Sequence, residues 1–206
     1  MKNCELLIFH GVIADCDKRS KKGLGQRIWL TPLQWIDKDN IVQEHRVITS
    51  LPFSSEAPAG KEFYPVEMAG KMPFNGAKKS LVIGTYFNTW TTELPIKILK
   101  HDDDVTVGFI DPIVKGGRYV AIVENITGGG TNGEATFEVY GLQSGLQVSE
   151  AEHDLYSDDT LGGWSVTLKE EDSSNASWFF APVVEAASGV GITRKWLNDH
   201  TNEAEV

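Results

Sequence analysis

The strongest regularity along this chain is a period of two. In residues 86–99 (YFNTWTTELPIKIL), Leu94, Ile96 and Ile98 fall on one face, with Phe87, Thr89 and Thr91 set against Tyr86, Asn88 and Trp90 before them. Alternation of this kind predicts a strand with one buried face. Pro95 has no N–H to give to a ladder, so it places an edge, bulge or bend within the strand. Residues 118–126 (RYVAIVENI) predict a buried strand. Residues 134–140 (EATFEVY) alternate and pair back on it as a hairpin, with the glycine-rich stretch 128–133 as the tip. Residues 163–169 (GWSVTLK) put Trp164, Val166 and Leu168 on one face of a further strand.

Weaker patterns fill the rest. Residues 27–36 (RIWLTPLQWI) are β-branched and aromatic, and Pro32 ends or bulges that strand at Thr31. Residues 40–51 predict one strand, and 52–62 (PFSSEAPAGKE) a loop with the features of a long hairpin tip. Short strands are expected at 63–68 and 79–85, with a turn at 71–79. Residues 142–150 continue as a strand with Leu146 and Val148 in phase. Residues 150–163 read as an acidic loop, 170–177 as a polar turn and 177–184 as an apolar strand or arm.

The period changes at 101–115. Asp102, Asp103 and Asp104 are a helix N-cap signal with acids in the first turn. Val105, Phe109 and Ile113 recur at helical spacing, Pro112 limits the run, and Gly116-Gly117 stops it. A short helix over about 103–111 follows from this, and residues 192–200 offer a second. The expected fold is mainly β, a β-sandwich or barrel with one flanking short helix, extended loops and a C-terminal arm. Residues 1–180 form one β-rich domain with an N-terminal arm (1–26), in which 18–26 is an exposed loop. Residues 181–206 are the C-terminal extension.

Composition is that of an ordinary globular chain of 206 residues, and no apolar run approaches the roughly 20 residues of a membrane helix. No cleavable signal pattern opens the chain, which predicts a protein kept in the cytoplasm or in a particle assembled there. Cys4 and Cys16 lack the further ligands of a zinc site and read as reduced thiols. Charge is more telling. Residues 1–100 carry 14 Lys/Arg and 10 Asp/Glu; residues 101–206 carry 5 and 19. So acidic a second half repels a phosphate backbone rather than wrapping it. The split suits either plain solubility, or an assembly in which unlike faces meet or an acidic wall lines a passage for DNA.

Sites of chemistry are weak. His101 with Asp102, Asp103 and Asp104 has a metal-ligand composition, but no calcium-loop spacing follows, and helix capping accounts for the acids. His10, His45, His101, His153 and His200 are dispersed without a zinc-protease pair. No Gly-x-Ser-x-Gly elbow occurs, nothing activates either cysteine, and the glycine runs at 128–133 and 187–191 lack phosphate-loop endings. No enzyme, metal or cofactor is expected. The six tryptophans, Trp29, Trp35, Trp90, Trp164, Trp178 and Trp196, could form a sugar platform, although such rings more often fill cores and subunit contacts.

The order of elements carries a resemblance. The strand 86–99, the capped helix 102–114, YVAIVEN (119–125), the aromatic strand running into Gly-Leu and then GLQVS (to 149), and GGWSVTLKEE (162–171) follow one another. Upstream lie Cys4, Asp15-Cys16 and RIWL (27–30). This succession resembles the tail-tube-like, or major tail, structural proteins of bacteriophages and prophages. The resemblance implies a β-sandwich or barrel protomer with a flanking helix. Six copies would form rings stacked head-to-tail around a channel for DNA, with hairpins making an inner barrel, inside a virion tail assembled in the host cytoplasm. Its partners would be copies of itself and other tail or connector proteins, with no specific DNA binding and no membrane. Asp102, Asp103, Asp104, Glu150, Glu152, Asp158 and Asp159 become candidates for the channel wall. Lys18, Arg19, Lys21, Lys22 and Trp196 become candidates for contacts between rings, with loops 18–26 and 52–62. A head–tail connector, tail terminator or capsid-decorating protein shares these expectations. A carbohydrate-binding β-sandwich is the reading from a different class.

Overall fold

The computed structural model describes residues 24–67, 76–125, 136–175, 177–185 and 187–202. Eleven strands occur among these residues: β1 (Leu24–Pro32), β2 (Val42–Glu44), β3 (Val47–Ser50), β4 (Tyr64–Glu67), β5 (Lys78–Val82), β6 (Thr89–Ile98), β7 (Tyr119–Asn125), β8 (Phe137–Tyr140), β9 (Gln147–His153), β10 (Trp164–Ser173) and β11 (Trp178–Phe180). They form a seven-stranded sheet of order β2-β3-β11-β8-β7-β1-β4 and a four-stranded sheet of order β5-β6-β10-β9. The protein is a mainly β sandwich with flanking helix, as its alternation implied.

Strand parity explains the layers. Ile28 and Leu30 of β1, with Ala121 and Val123 of β7, face Leu94, Ile96 and Ile98 of β6 and Val166 and Leu168 of β10 in a core between the sheets. Trp29, Val120, Ile122, Phe137 and Val139 point to the other side of the larger sheet. There they meet Ile36, Leu51, Phe63 and Leu197 in a second core. The larger sheet is thus covered on both faces, which is why β7 reads as an unbroken apolar run. The helix α3 (Val190–Asp199) belongs to that second core: Leu197 is fully buried, and Trp196 packs against Phe53, Phe63 and Phe180.

The helical segment is one continuous path of three turns of different pitch: α1 (Asp103–Val105), a π-helical turn (Thr106–Ile110) and α2 (Asp111–Val114). The Asp102 side chain caps it, accepting from the Val105 N–H at 2.9 Å. It outlasts the expected end at 111. The Asp111 N–H reaches back five residues to the Thr106 carbonyl, and this widened turn carries the chain past Pro112, which has no N–H to donate. Ile110 and Ile113 are its buried anchors, with Val105 and Phe109 half-buried beside them.

Several boundaries differ from those read in the sequence. Residues 24–26 start β1 rather than close an exposed loop. Residues 40–51 hold two strands, because His45 takes a left-handed φ of 55° and turns the chain into a β2–β3 hairpin. Residues 150–153 belong to β9, not to the loop that follows. Residues 170–173 extend β10, so Glu170 falls on its buried face instead of in a turn. Residues 83–88, read as the end of one strand (79–85) and the start of the next (86–99), form the exposed β5–β6 turn instead. The hairpin tip 128–133, the turn 71–75, Cys4, Cys16 and the residues 1–23 lie outside the described residues.

Glu170 has a structural task. Its carboxylate accepts the backbone N–H groups of Gly141 (3.1 Å), Gln143 (3.2 Å) and Ser144 (3.0 Å). These lie in the segment 141–146, where the chain crosses from β8 in one sheet to β9 in the other. Gly141 sits at φ 81°, and a Cβ there would meet the Tyr119 carbonyl oxygen at 2.4 Å, so only glycine fits the crossing. A second polar tie joins the sheets. Lys79 of β5 lies 2.6 Å from Ser177 Oγ and 3.6 Å from the Glu138 carboxylate, over the Tyr140 ring, while the Tyr140 hydroxyl donates to Glu138 at 2.6 Å. Burial pulls the Lys79 ammonium below its ordinary range, against the opposing pull of Glu138.

Candidate assembly surface

The four-stranded sheet has one face on the core and one face outward. Its register sets the outward side chains: Glu150 lies opposite Thr167, Glu152 opposite Ser165, Lys78 and Lys169 opposite Glu93. Residues directly opposite share a face. The outward face therefore carries Glu93, Glu150, Glu152 and Glu171 among Lys78, Lys97 and Lys169, separated by Ser80, Thr91, Ser165 and Thr167. Asp159 joins it from the β9–β10 loop by pairing with Lys97 at 2.8 Å, and Lys169 pairs with Glu171 at 2.7 Å. Carboxylates outnumber cations on this face, and it has no apolar strip to bury.

Among the described residues no strand lies beyond β5 or beyond β9. Among the described residues both edges of the smaller sheet are without a partner strand, and the two differ. The β9 edge carries Glu150 and Glu152, the β5 edge Lys78. Pro95 reflects an edge of its own: β5 pairs with β6 only from Thr89 to Glu93, so at Pro95 the side of β6 toward β5 is not laddered.

The candidate acids fall on the outward face, at the helix start and, with Asp158, in the β9–β10 loop. Glu150, Glu152 and Asp159 share the outward face. Asp102 caps the helix that follows β6 and also pairs with Lys100, with Asp103 and Asp104 in the first turn. The Lys100 ammonium, hydrogen-bonded to it, holds the Asp102 carboxyl below the usual carboxylate range, with the Val105 N–H adding to the effect. His101 stacks on His153, with ring centroids 4.1 Å apart, and His153 stacks on Trp164 at 4.7 Å. That stack places the helix start beside the loop 154–163, which contains Asp158. Trp196, a candidate for a contact between rings, is half-buried and packs within the chain against Phe53, Phe63, Phe180 and His200. Lys18, Arg19, Lys21 and Lys22 lie outside the described residues.

No tryptophan among the six is exposed: Trp29 is buried and the other five are half-buried, so a platform of exposed indoles is not present. Among the described residues no three His, Cys, Asp or Glu side chains gather as a metal site, and no helix is long and apolar enough to cross a membrane. An open cleft of about 280 Å³ lies between Arg118, Ser144, Gln147, Ser149 and Lys169, and its Lys169 is already committed to Glu171.

What sequence reading missed is a set of exposed apolar side chains. Ile83, Tyr86 and Phe87 crown the β5–β6 turn, and Leu155, Tyr156 and Leu161 project from the β9–β10 loop. One signal was available: Tyr86 and Phe87 are adjacent, and strand alternation can bury only one of two neighbours. No family model matches the chain, and no curated protein or solved structure is significantly similar to it.

Proposed function

We propose that this protein is a structural subunit of a bacteriophage virion, a tail tube protein whose copies form stacked hexameric rings around a channel for DNA. The observation that carries this reading is the four-stranded sheet with two unlike edges, unpaired among the described residues, and a polar outward face. An open edge is a template for a strand of another copy. The β5 edge of one copy joined to the β9 edge of the next makes a heterologous contact, which closes into a ring when the rotation allows. Six such four-stranded sheets would give a barrel of about 24 strands, wide enough to leave an open lumen. The outward face would become the wall, and its carboxylates would keep DNA phosphates from sticking.

Negative-stain electron microscopy of the purified chain over a range of concentration and salt tests this. Rings or hollow tubes with a central channel are the expected result. A strict monomer at high concentration overturns the tube and leaves a connector or terminator that needs a partner protein. A variant with lysine at Glu150 and Glu152 should lose rings, since both edges would then be basic.

A further inference from the structure

We propose that Lys79 and Asn125 condense into an isopeptide bond that ties the two sheets together covalently, with Glu138 carrying the protons. Three side chains that meet between the sheets point to it, whatever the protein assembles into.

Strand parity sends all three inward. Lys79 of β5 lies opposite Thr92, which is buried. Glu138 of β8 lies opposite Val123, a member of the core between the sheets. Asn125 ends β7 two residues after Val123 and so shares its face. Glu138 stands between the other two. Its Oε2 is 3.6 Å from the Lys79 ammonium, and its Oε1 accepts from the Asn125 side-chain amide at 3.4 Å. The Tyr140 hydroxyl, donating to Oε2 at 2.6 Å, fixes the carboxylate, and the Tyr140 ring lies 4.6 Å from Lys79 Nζ. Nζ also donates to Ser177 Oγ at 2.6 Å. Rotation about its flexible four-carbon stem takes it from there, past Glu138, to the Asn125 amide carbon.

This is what an amine needs to displace ammonia from an amide. It must be neutral to attack, and burial already pulls Lys79 below its ordinary range, against the pull of Glu138. A carboxylate in contact with both nitrogens can take protons from one and deliver them to the other. An ionised carboxylate resists attack by an amine, so Asn125, and not Glu138, is the acceptor.

The Lys79 Nζ–Asn125 Cγ bond forms and the Asn125 Cγ–Nδ2 bond breaks. Of the three protons on the Lys79 ammonium, one remains on the new amide. The other two pass through Glu138 to Nδ2, which leaves as ammonium. Glu138 ends as the carboxylate it was at the start, and the step consumes no oxidant or reductant.

The test is mass spectrometry of the full-length chain, denatured and reduced, followed by protease digestion and peptide mapping. The expected result is a dominant species lighter than the sequence mass by one ammonia, and a branched peptide joining Lys79 to Asn125. A cyclic imide at Asn75-Gly76 or Asn132-Gly133 also loses ammonia, so the branched peptide decides. Lys79→Arg and Glu138→Gln, each with the wild-type circular dichroism spectrum, should give no branched peptide. Wild-type protein in which Lys79 and Asn125 are recovered only in separate linear peptides overturns the bond. A branched peptide that persists at wild-type yield in Glu138→Gln overturns the part given to Glu138.

Discussion

His101 and His153 lie ring on ring, 4.1 Å apart and inclined by 28°, and Trp164 continues the stack beneath His153. Three elements far apart in sequence meet there: the link from β6 to the helix, the end of β9 and the start of β10. His153 Nε2 also lies 3.1 Å from the Gly162 carbonyl oxygen, so the same ring fixes the β9–β10 loop.

Replacing His153 with alanine should therefore loosen loop 154–162 and the helix start together. The stacking lost is worth roughly 1 kcal/mol. Hydrogen exchange should quicken at the amides of 155–163 and 101–106, with the strands of the larger sheet unchanged. Protection unaltered at 101–106 would show that the stack does not couple the two segments.

Glu170 should be among the costliest single positions outside the apolar core. Glu170→Ala leaves three backbone N–H groups of the 141–146 crossing without their acceptor, a loss of about 3 kcal/mol. Glu170→Gln keeps the shape but turns an amide NH₂ toward donors, and should cost about 2 kcal/mol. Urea denaturation with unchanged slope measures both. A loss below about 0.5 kcal/mol for the alanine variant, the level of an ordinary surface substitution, would mean that the crossing is held by other contacts.

Alkaline stability should depend on Tyr140. Burial, and then the Glu138 carboxylate, raise its phenol far above the ordinary 10.0. In the unfolded chain the phenol ionises near pH 10, so above that pH the folded state holds the extra proton. Stability from this group is complete below about pH 10 and falls as pH rises toward the folded value. Tyr140→Phe should begin about 1 kcal/mol lower for want of the bond to Glu138, then fall less steeply between about pH 9.5 and pH 11. Parallel curves for the two proteins would contradict this.

Leu197 tests how α3 is held. It is fully buried among the side chains of the second core, so Leu197→Ala should cost about 3 kcal/mol in a single cooperative transition. A helix that merely rested on the sheet would instead detach first and give a separate, small transition, visible in tryptophan fluorescence through Trp196.

The reach of sequence reading can be followed residue by residue. Leu94, Ile96 and Ile98 announced their strand and its buried face, and Asp102 announced the cap it forms. Gly116, at φ 94°, lies just past the helix end at Val114, beyond the expected end at 111. The antiparallel pairing of β7 with β8 followed from the hairpin pattern, although its tip lies outside the described residues. Glu170 was misread because one more polar residue after Lys169 looks like a turn when nothing shows which donors wait opposite. His45 gave no warning of its left-handed turn, and the π-helical turn before Pro112 leaves no periodic trace. The acids offered as candidates for a channel wall were chosen from charge and from the resemblance, and the outward placing of Glu150 and Glu152 came from their partners on β10.

By itself, then, the chain determined what is local: the period of each strand, the capped helix start, the charge imbalance and the mainly β class. Those are written in neighbouring residues, because strand alternation and capping act over a few positions. Tertiary structure alone decided which strands share a sheet, which strands stand at its edges among the described residues, where His101 meets His153, and that Tyr86, Phe87 and Tyr156 are exposed. Those depend on what stands opposite each residue across long sequence separations, and no residue carries its partner's position in its own side chain.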